Sequence, residues 1–122
     1  MGKDEALYSF WESFDLPAYD EQTVPDDARE PYITYETELG SLESVVSLTG
    51  SLWYRSTSWE GISLKAQEIA NHIGRGGVLI AYDNGALWIT RGTPFAQRIS
   101  EPSDDSVRRI YININAEFLG AD

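Results

Sequence analysis

SVVSLTGSLWYRSTSWEGISLKAQEIANHIG, residues 44–74, is the stretch that decides the fold. In its first half, Val46, Leu48, Leu52 and Tyr54 alternate with mostly polar residues, which is the pattern of a half-buried strand. Apolar side chains then recur at helical spacing and form one stripe: Trp59, Ile62, Ala66, Ile69, Ala70 and Ile73. A helix that follows a strand so closely has to fold back over the sheet to bury its stripe. The stretch therefore predicts a helix packed on a sheet.

Local signals mark both ends of this helix, which we expect over residues 58–73. Thr57 and Glu60 have the spacing of a capping box, and Ser58 is an alternative N-cap. Gly74 suits the left-handed position that follows a last helical turn. These signals predict that the helix begins directly after the strand.

The rest of the chain supplies a second helix and further strands. Leu7, Phe10, Trp11 and Phe14 recur at helical spacing and predict an amphipathic helix. Asn84-Gly85 between two apolar runs predicts a hairpin. The full set of predicted elements is helix 4–14, an acidic loop 18–31, strands at about 32–39, 44–56, 78–82, 86–91 and 107–118, helix 58–73, and an irregular loop 92–105.

This order of elements predicts an α+β fold. We expect a single domain over residues 1–122, since a chain of this length supports one core. Short connections favour a mainly antiparallel sheet of about five strands, with the two helices packed on one face. Residues that alternate along the strands would face the helices: Ile33, Leu48, Leu52, Leu87, Ile89, Ile110, Ile112 and Ile114.

The composition argues against catalytic chemistry. The chain has no cysteine and a single histidine, His72, so thiol nucleophiles and the usual zinc ligand sets are excluded. A glycine-rich segment at residues 74–77 follows a helix, whereas a phosphate loop precedes one. We therefore expect no enzyme activity, no catalytic residue, no metal site and no cofactor.

The net charge of −11 bears on the partners of the protein. Such a chain does not favour binding to nucleic-acid backbones through a basic surface. No apolar run reaches the length of a membrane span, and the N-terminal residues lack the apolar segment of a signal peptide. We expect a protein that works in a soluble assembly.

The sheet face turned away from the helices is the candidate interface. The alternation places Tyr32, Trp53, Trp88 and Tyr111 there, and large aromatic residues are typical of subunit contacts. Leu64 lies on the outward side of the helix over 58–73 and is a further candidate. Arginines that could form ion pairs between subunits complete the predicted set: Arg55, Arg91 and Arg98. The alternative is that loops cover these aromatic rings.

Three stretches resemble a known family. They are LPAYDEQTVPDDAREPYITYE (16–36), SLWYRSTSWEGISLKAQEIANHIGRGG (51–77) and WITRGTPFAQRISEPSDDSVRRIYININAEF (88–118). In these, the chain resembles the tail completion or tail terminator proteins of long-tailed bacteriophages and prophages, the minor tail protein U type. WYRSTSW and RGTPFAQR are the most specific parts of the likeness, although neither is a catalytic motif.

The resemblance implies a structural virion protein that forms a ring, expected to be a hexamer. Such a ring caps the tail tube, ends its polymerisation and provides the joint to the head. It implies contacts with further copies, with the tail-tube protein and with a head–tail connector protein, while DNA passes the lumen without specific binding. The expected location is the head-proximal end of the phage tail, assembled in the cytoplasm of the bacterial host. A head completion or connector ring protein and a small non-enzymatic ligand-binding domain are the alternatives.

Overall fold

The computed structural model describes residues 1–37 and 45–120. These residues form two helices and one six-stranded sheet. The elements are α1 (Lys3–Glu12), β1 (Ala18–Asp20), β2 (Tyr32–Tyr35), β3 (Val46–Arg55), α2 (Glu60–Ile73), β4 (Val78–Tyr82), β5 (Gly85–Ile99) and β6 (Val107–Gly120). The predicted α+β class is confirmed, with six strands where about five were expected.

The sheet is mixed but mostly antiparallel. Its strand order is β1-β2-β3-β6-β5-β4, and only the β1–β2 pair is parallel. β6 lies inside the sheet and pairs along its length with β3 and β5. The long carboxyl-terminal strand therefore joins the two hairpin-like halves of the fold.

The core lies between the sheet and the two helices. The eight strand residues predicted to face the helices are all 0–3% exposed, which confirms the assignment of faces. α1 contributes Leu7, Phe10 and Trp11, and α2 contributes Ile62 and Ile69. Both helices bury their apolar stripes on the same side, so the other side of the sheet carries no helix.

Two of the predicted loops contain strands. Residues 18–20 of the acidic loop form β1, which pairs with Ile33 and its neighbours in β2. The loop expected over 92–105 is mostly strand, because β5 continues to Ile99 and pairs again with β6 from Ala96 onward. The irregularity between Arg91 and Ala96 shifts the register, so the alternation that marks a strand is interrupted in the sequence.

The helix ends also differ from the predictions. α1 ends at Glu12 rather than residue 14. The predicted capping box at Thr57 is not formed, since α2 begins at Glu60 and the Glu60 amide donates to the Ser58 hydroxyl at 3.0 Å. Gly74 takes the expected left-handed φ of 68° after the last turn. Residues 38–44 lie outside the described residues. They were predicted to hold the end of one strand, a turn and the start of the next strand.

Candidate interaction surfaces

The face of the sheet away from the helices carries a compact group of aromatic residues and one arginine. Tyr32 of β2, Trp53 of β3 and Tyr111 of β6 lie on it, as predicted from the alternation. Arg109 lies beside them because it is directly opposite Trp53 in the β3–β6 pair. We call these four residues together with Tyr19 of β1 the aromatic cluster.

In the aromatic cluster, the Arg109 guanidinium lies over two aromatic rings, and the remaining rings pack beside them. The Arg109 guanidinium carbon is 4.6 Å from the centroid of the Trp53 ring and 5.3 Å from that of Tyr111. The Tyr32 ring lies 6.4 Å from Trp53 and 5.7 Å from Tyr19, edge to face with the latter. A guanidinium over an indole ring is a favourable contact that also orders both side chains.

Hydrogen bonds hold the cluster in place. The Trp53 indole N–H donates to the Thr34 hydroxyl at 2.9 Å, and Arg109 Nε donates to the Ser51 hydroxyl at 3.1 Å. Arg109 also forms an ion pair with Glu101, at 3.6 Å. The Trp53 indole N–H and the Nε and Nη1 groups of Arg109 are thus bound from neighbouring strands or loops, so the two side chains are held in a fixed arrangement.

Part of the acidic segment after β1 lies over one side of the cluster. Glu21 and Val24 line a pocket of about 330 Å³ together with Trp53, Arg109 and other residues of this face. Burial raises the pKa of the Tyr32 phenol, and the Glu30 carboxylate and Tyr19 act in the same direction. At the β1 edge of the sheet, a loop therefore partly covers the aromatic rings, which was the alternative to an open interface.

The opposite end of this face carries exposed apolar side chains. Leu79 of β4 is directly opposite Trp88 of β5, and the two side chains are 62% and 37% exposed. Trp88 is in turn opposite Glu117 of β6. Val45, 56% exposed, comes immediately before the Val46–Ala116 pair at the start of β3. We call Leu79, Trp88 and Val45 the apolar row.

Trp88 is anchored despite its exposure. Its indole N–H donates to the carbonyl of Gly76, in the connector between α2 and β4, at 2.9 Å. The ring therefore has a defined orientation on the sheet. Exposed apolar side chains on two paired strands, with a third close to the end of β3, are typical of contact surfaces.

The predicted interface arginines Arg55 and Arg91 bind groups of their own chain. Arg55 pairs with Glu30 at 3.3 Å and Asp104 at 3.6 Å. Arg91 donates through Nε and Nη2 to the Ala70 carbonyl of α2, at 3.0 and 2.7 Å.

Two further predicted residues lie on the helix side. The Arg98 guanidinium carbon is 4.8 Å from the centroid of the Trp59 ring. Leu64 is 65% exposed on the outward side of α2. Of the predicted set, only Tyr32, Trp53 and Tyr111 form one cluster.

The set predicted from the sequence omitted Arg109 and Leu79. The alternation that places Tyr111 on the open face also places Arg109 there, so that signal was available in the sequence. Leu79 required the register of the β4–β5 hairpin, in which it lies opposite Trp88.

Other kinds of site find little support. Within residues 1–37 and 45–120, no group of three or more histidine, cysteine, aspartate or glutamate side chains is arranged to hold a metal ion. His72 is exposed and contacts the Phe14 ring edge to face, at 5.2 Å between centroids. None of the helices in the described part of the chain has both the length and the apolar character needed to cross a membrane.

Comparison with solved structures finds chains that share this fold. A chain of the structure titled "Virion of native gene transfer agent (GTA) particle" superposes with a TM-score of 0.55 and is 17% identical. The match covers 97% of this chain and 87% of that chain. The two share a fold. No protein-family model matches the sequence, and no curated protein matches it.

Proposed function

We propose that this protein is a structural virion component that forms a ring on the phage tail tube, ends tube polymerisation and provides the joint to the head. The observation that carries the proposal is the likeness to a gene transfer agent virion chain over 97% of the present chain. The resemblance of three stretches to tail terminator proteins supports the finer assignment, with a hexamer as the proposed ring. The protein would act in the virion, at the head-proximal end of the tail.

The open face of the sheet supports a role in assembly. The aromatic cluster and the apolar row lie on a face without a helix, and they consist of the residue types that contribute most to subunit contacts. We propose that this face binds further copies or the end of the tail tube. Leu64 on α2 remains a second proposed contact, since it is 65% exposed on the layer opposite this face.

The proposed role is structural rather than enzymatic and involves no cofactor. The ordered polar groups of the open face, such as Trp53 and Arg109, are bound to one another and to neighbouring strands, which suits a rigid docking surface. The net charge of −11 suits a lumen through which DNA passes without specific binding.

A connector ring at the head–tail joint is the second candidate. The similar chain comes from a structure of a whole gene transfer agent virion, so the structural likeness is equally compatible with a ring next to the terminator. The two candidates differ in what they bind, since a terminator acts on the growing end of the tail tube and a connector acts on the head.

The experiment is to add the purified protein to polymerising tail-tube protein and to measure tube lengths by electron microscopy. A terminator limits tube length at about one ring per tube, and the same protein unfolded by heat does not. Tubes of unchanged length would contradict the terminator role. Binding to isolated heads without binding to tubes would instead favour the connector role.

A further inference from the structure

β5 has a long edge that its neighbour β4 does not cover. β4 pairs with β5 only between Gly85 and Ile89. Beyond the bulge, residues Ala96 to Ile99 pair with β6 on one side. On the other side, no strand within the described residues pairs with this half of β5. The backbone groups along this edge are available to another chain.

A groove runs between this half of β5 and α2. Its walls are Ala66 and Ala70 of α2 and Phe95 and Ala96 of β5, with Ile110 of β6 at its floor. The small alanine side chains leave an open volume of about 220 Å³ over an apolar floor. The groove has room for side chains of a second chain that docks beside the helix.

Two exposed arginines lie at the groove. Arg98 is the one charged residue among those that line it, and Arg91 lies nearby on β5 with its guanidinium bound to the Ala70 carbonyl of α2. Arg91 binds the Ala70 carbonyl and Arg98 stacks on Trp59, but neither forms an ion pair with a carboxylate of the described residues. In a chain with 20 acidic and 9 basic residues, this is a locally positive surface.

The opposite side of the sheet has the complementary charge. The segment that follows β1 exposes Glu21, Asp26 and Asp27, and no ion pair of these carboxylates occurs within the described ranges. Its backbone forms two turns, one closed by the Thr23 amide donating to the Asp20 carbonyl and one by the Ala28 amide donating to the Pro25 carbonyl. β1 is the end strand on this side, whereas the groove lies on the β5 side.

We propose that the groove between α2 and β5 binds the acidic segment of residues 20–27 of a second copy of this chain. The contact joins unlike surfaces on opposite sides of the subunit, so it is heterologous and repeats from copy to copy. Such contacts form a ring when the rotation closes. The proposal rests on the ring proposed above and names the surfaces by which neighbouring subunits meet.

The absence of cysteine allows a direct test by cross-linking. Thr23→Cys marks the acidic segment and Ala96→Cys marks the groove, and both leave the charged residues in place. A mixture of the two variants, treated with a short bismaleimide, should give several-fold more covalent dimer than either variant alone. Tyr8→Cys, exposed on α1 and outside both proposed surfaces, replaces Ala96→Cys in the control mixture.

Charge reversal tests the origin of the contact. Arg98→Glu in the groove variant should lower the dimer yield several-fold, and Asp26→Arg together with Asp27→Arg in the other variant should restore it. The yield should also fall in 1 M salt, where the Debye length is about 3 Å.

The cross-linking is performed at high protein concentration and again with tail-tube protein present. A yield equal to that of the Tyr8→Cys mixture under both conditions, or an unchanged yield in the Arg98→Glu variant, overturns the proposed contact. The tube-length measurement with the wild-type protein is independent of both results. A protein that limits tube length without cross-linking at these sites would retain its proposed function and lose only this interface.

Discussion

At the scale of single residues, Gly50 explains how α1 lies so close to the sheet. The Trp11 indole is fully buried and packs flat over Gly50 in β3, so that a Cβ at residue 50 would lie 2.6 Å from the Trp11 ring. Trp11 also stacks on Tyr35 of β2, with 6.3 Å between ring centroids. A glycine in a strand interior normally weakens the strand, but here it admits the largest side chain of the core.

Gly50→Ala is therefore expected to destabilise the protein. The added methyl group would displace Trp11 and overpack the core, at a cost of about 1–3 kcal/mol in the free energy of unfolding. Gly76→Ala is the matched control, because a Cβ at residue 76 meets no atom within 4 Å. Urea denaturation measures both variants. Equal stability of the two would show that Trp11 has room to move.

Two buried tyrosines predict how stability changes at alkaline pH. Burial raises the pKa of the Tyr35 and Tyr54 phenols above the ordinary value of 10.0. For Tyr35, the Asp20 carboxylate acts in the same direction. Because the folded state keeps these protons where the unfolded state releases them, their contribution is complete below pH 10 and is lost as the pH rises through the folded pKa.

The free energy of unfolding should therefore fall more steeply above pH 10 in the wild type than in a Tyr54→Phe variant. Between pH 7 and 9 the two proteins should show the same pH dependence. Chemical denaturation at a series of pH values provides the measurement. Parallel curves above pH 10 would contradict the burial effect on Tyr54.

At the scale of elements, the most accurate predictions concern helices and strands that a local sequence pattern determines without help from distant residues. β3 and α2 follow from residues 44–74, since the change from alternation to helical spacing is local to the chain. The regular alternation of β6 also predicted its inward face. The five apolar residues on that face are all buried: Ile110, Ile112, Ile114, Ala116 and Phe118.

The elements that were missed depend on partners elsewhere in the chain. β1 has only three residues and exists through its parallel pairing with β2. The second half of β5 follows Gly92-Thr93-Pro94, which interrupts any pattern, and β6 supplies the pairing that keeps it in the sheet. A Cβ at Gly92 would lie 2.8 Å from Asn113, so close approach of the two strands at the bulge also depends on this glycine.

The candidate site was predictable to a similar extent. Alternation alone placed Tyr32, Trp53 and Tyr111 on one face, and the structure brings them together. Arg91 and Arg98 were predicted as interface residues from their charge, without a location. Arg91 lies beside α2 because it continues the inward alternation of Leu87 and Ile89, a signal that the sequence contained. Arg98 lies there because of the bulge in β5, which no local pattern encodes.

At the scale of the whole molecule, the two faces and the two sides of the sheet are all different. The helix face is the core, and the open face carries the aromatic cluster and the apolar row. The β1 side is acidic, while the side of β5 beyond β4 carries exposed arginines. A subunit with unlike sides is suited to contacts that repeat around an axis rather than to a two-fold dimer.

The apolar row predicts a separation between assembly and stability. Trp88→Ala and Leu79→Ser should weaken binding to tail-tube ends or to further copies. The free energy of unfolding should change by about 1 kcal/mol or less, since exposed positions contribute little to folding. Co-sedimentation with tubes and urea denaturation give the two quantities.

The control for the apolar row is Tyr8→Ala, which removes an exposed aromatic side chain from α1. It should leave binding unchanged. If Trp88→Ala and Leu79→Ser lowered stability as much as binding, the apolar row would belong to the core. Trp53→Ala is expected to be intermediate, because it also removes the hydrogen bond to Thr34.

The distribution of the four tryptophans has a practical consequence. Trp11 is sealed in the core, Trp53 and Trp59 lie under arginine side chains, and Trp88 alone is substantially exposed on the open face. Intrinsic fluorescence from Trp88 is thus sensitive to solvent at one of the surfaces where contacts are proposed. The protein carries its own optical reporter of docking, with no need for an attached dye.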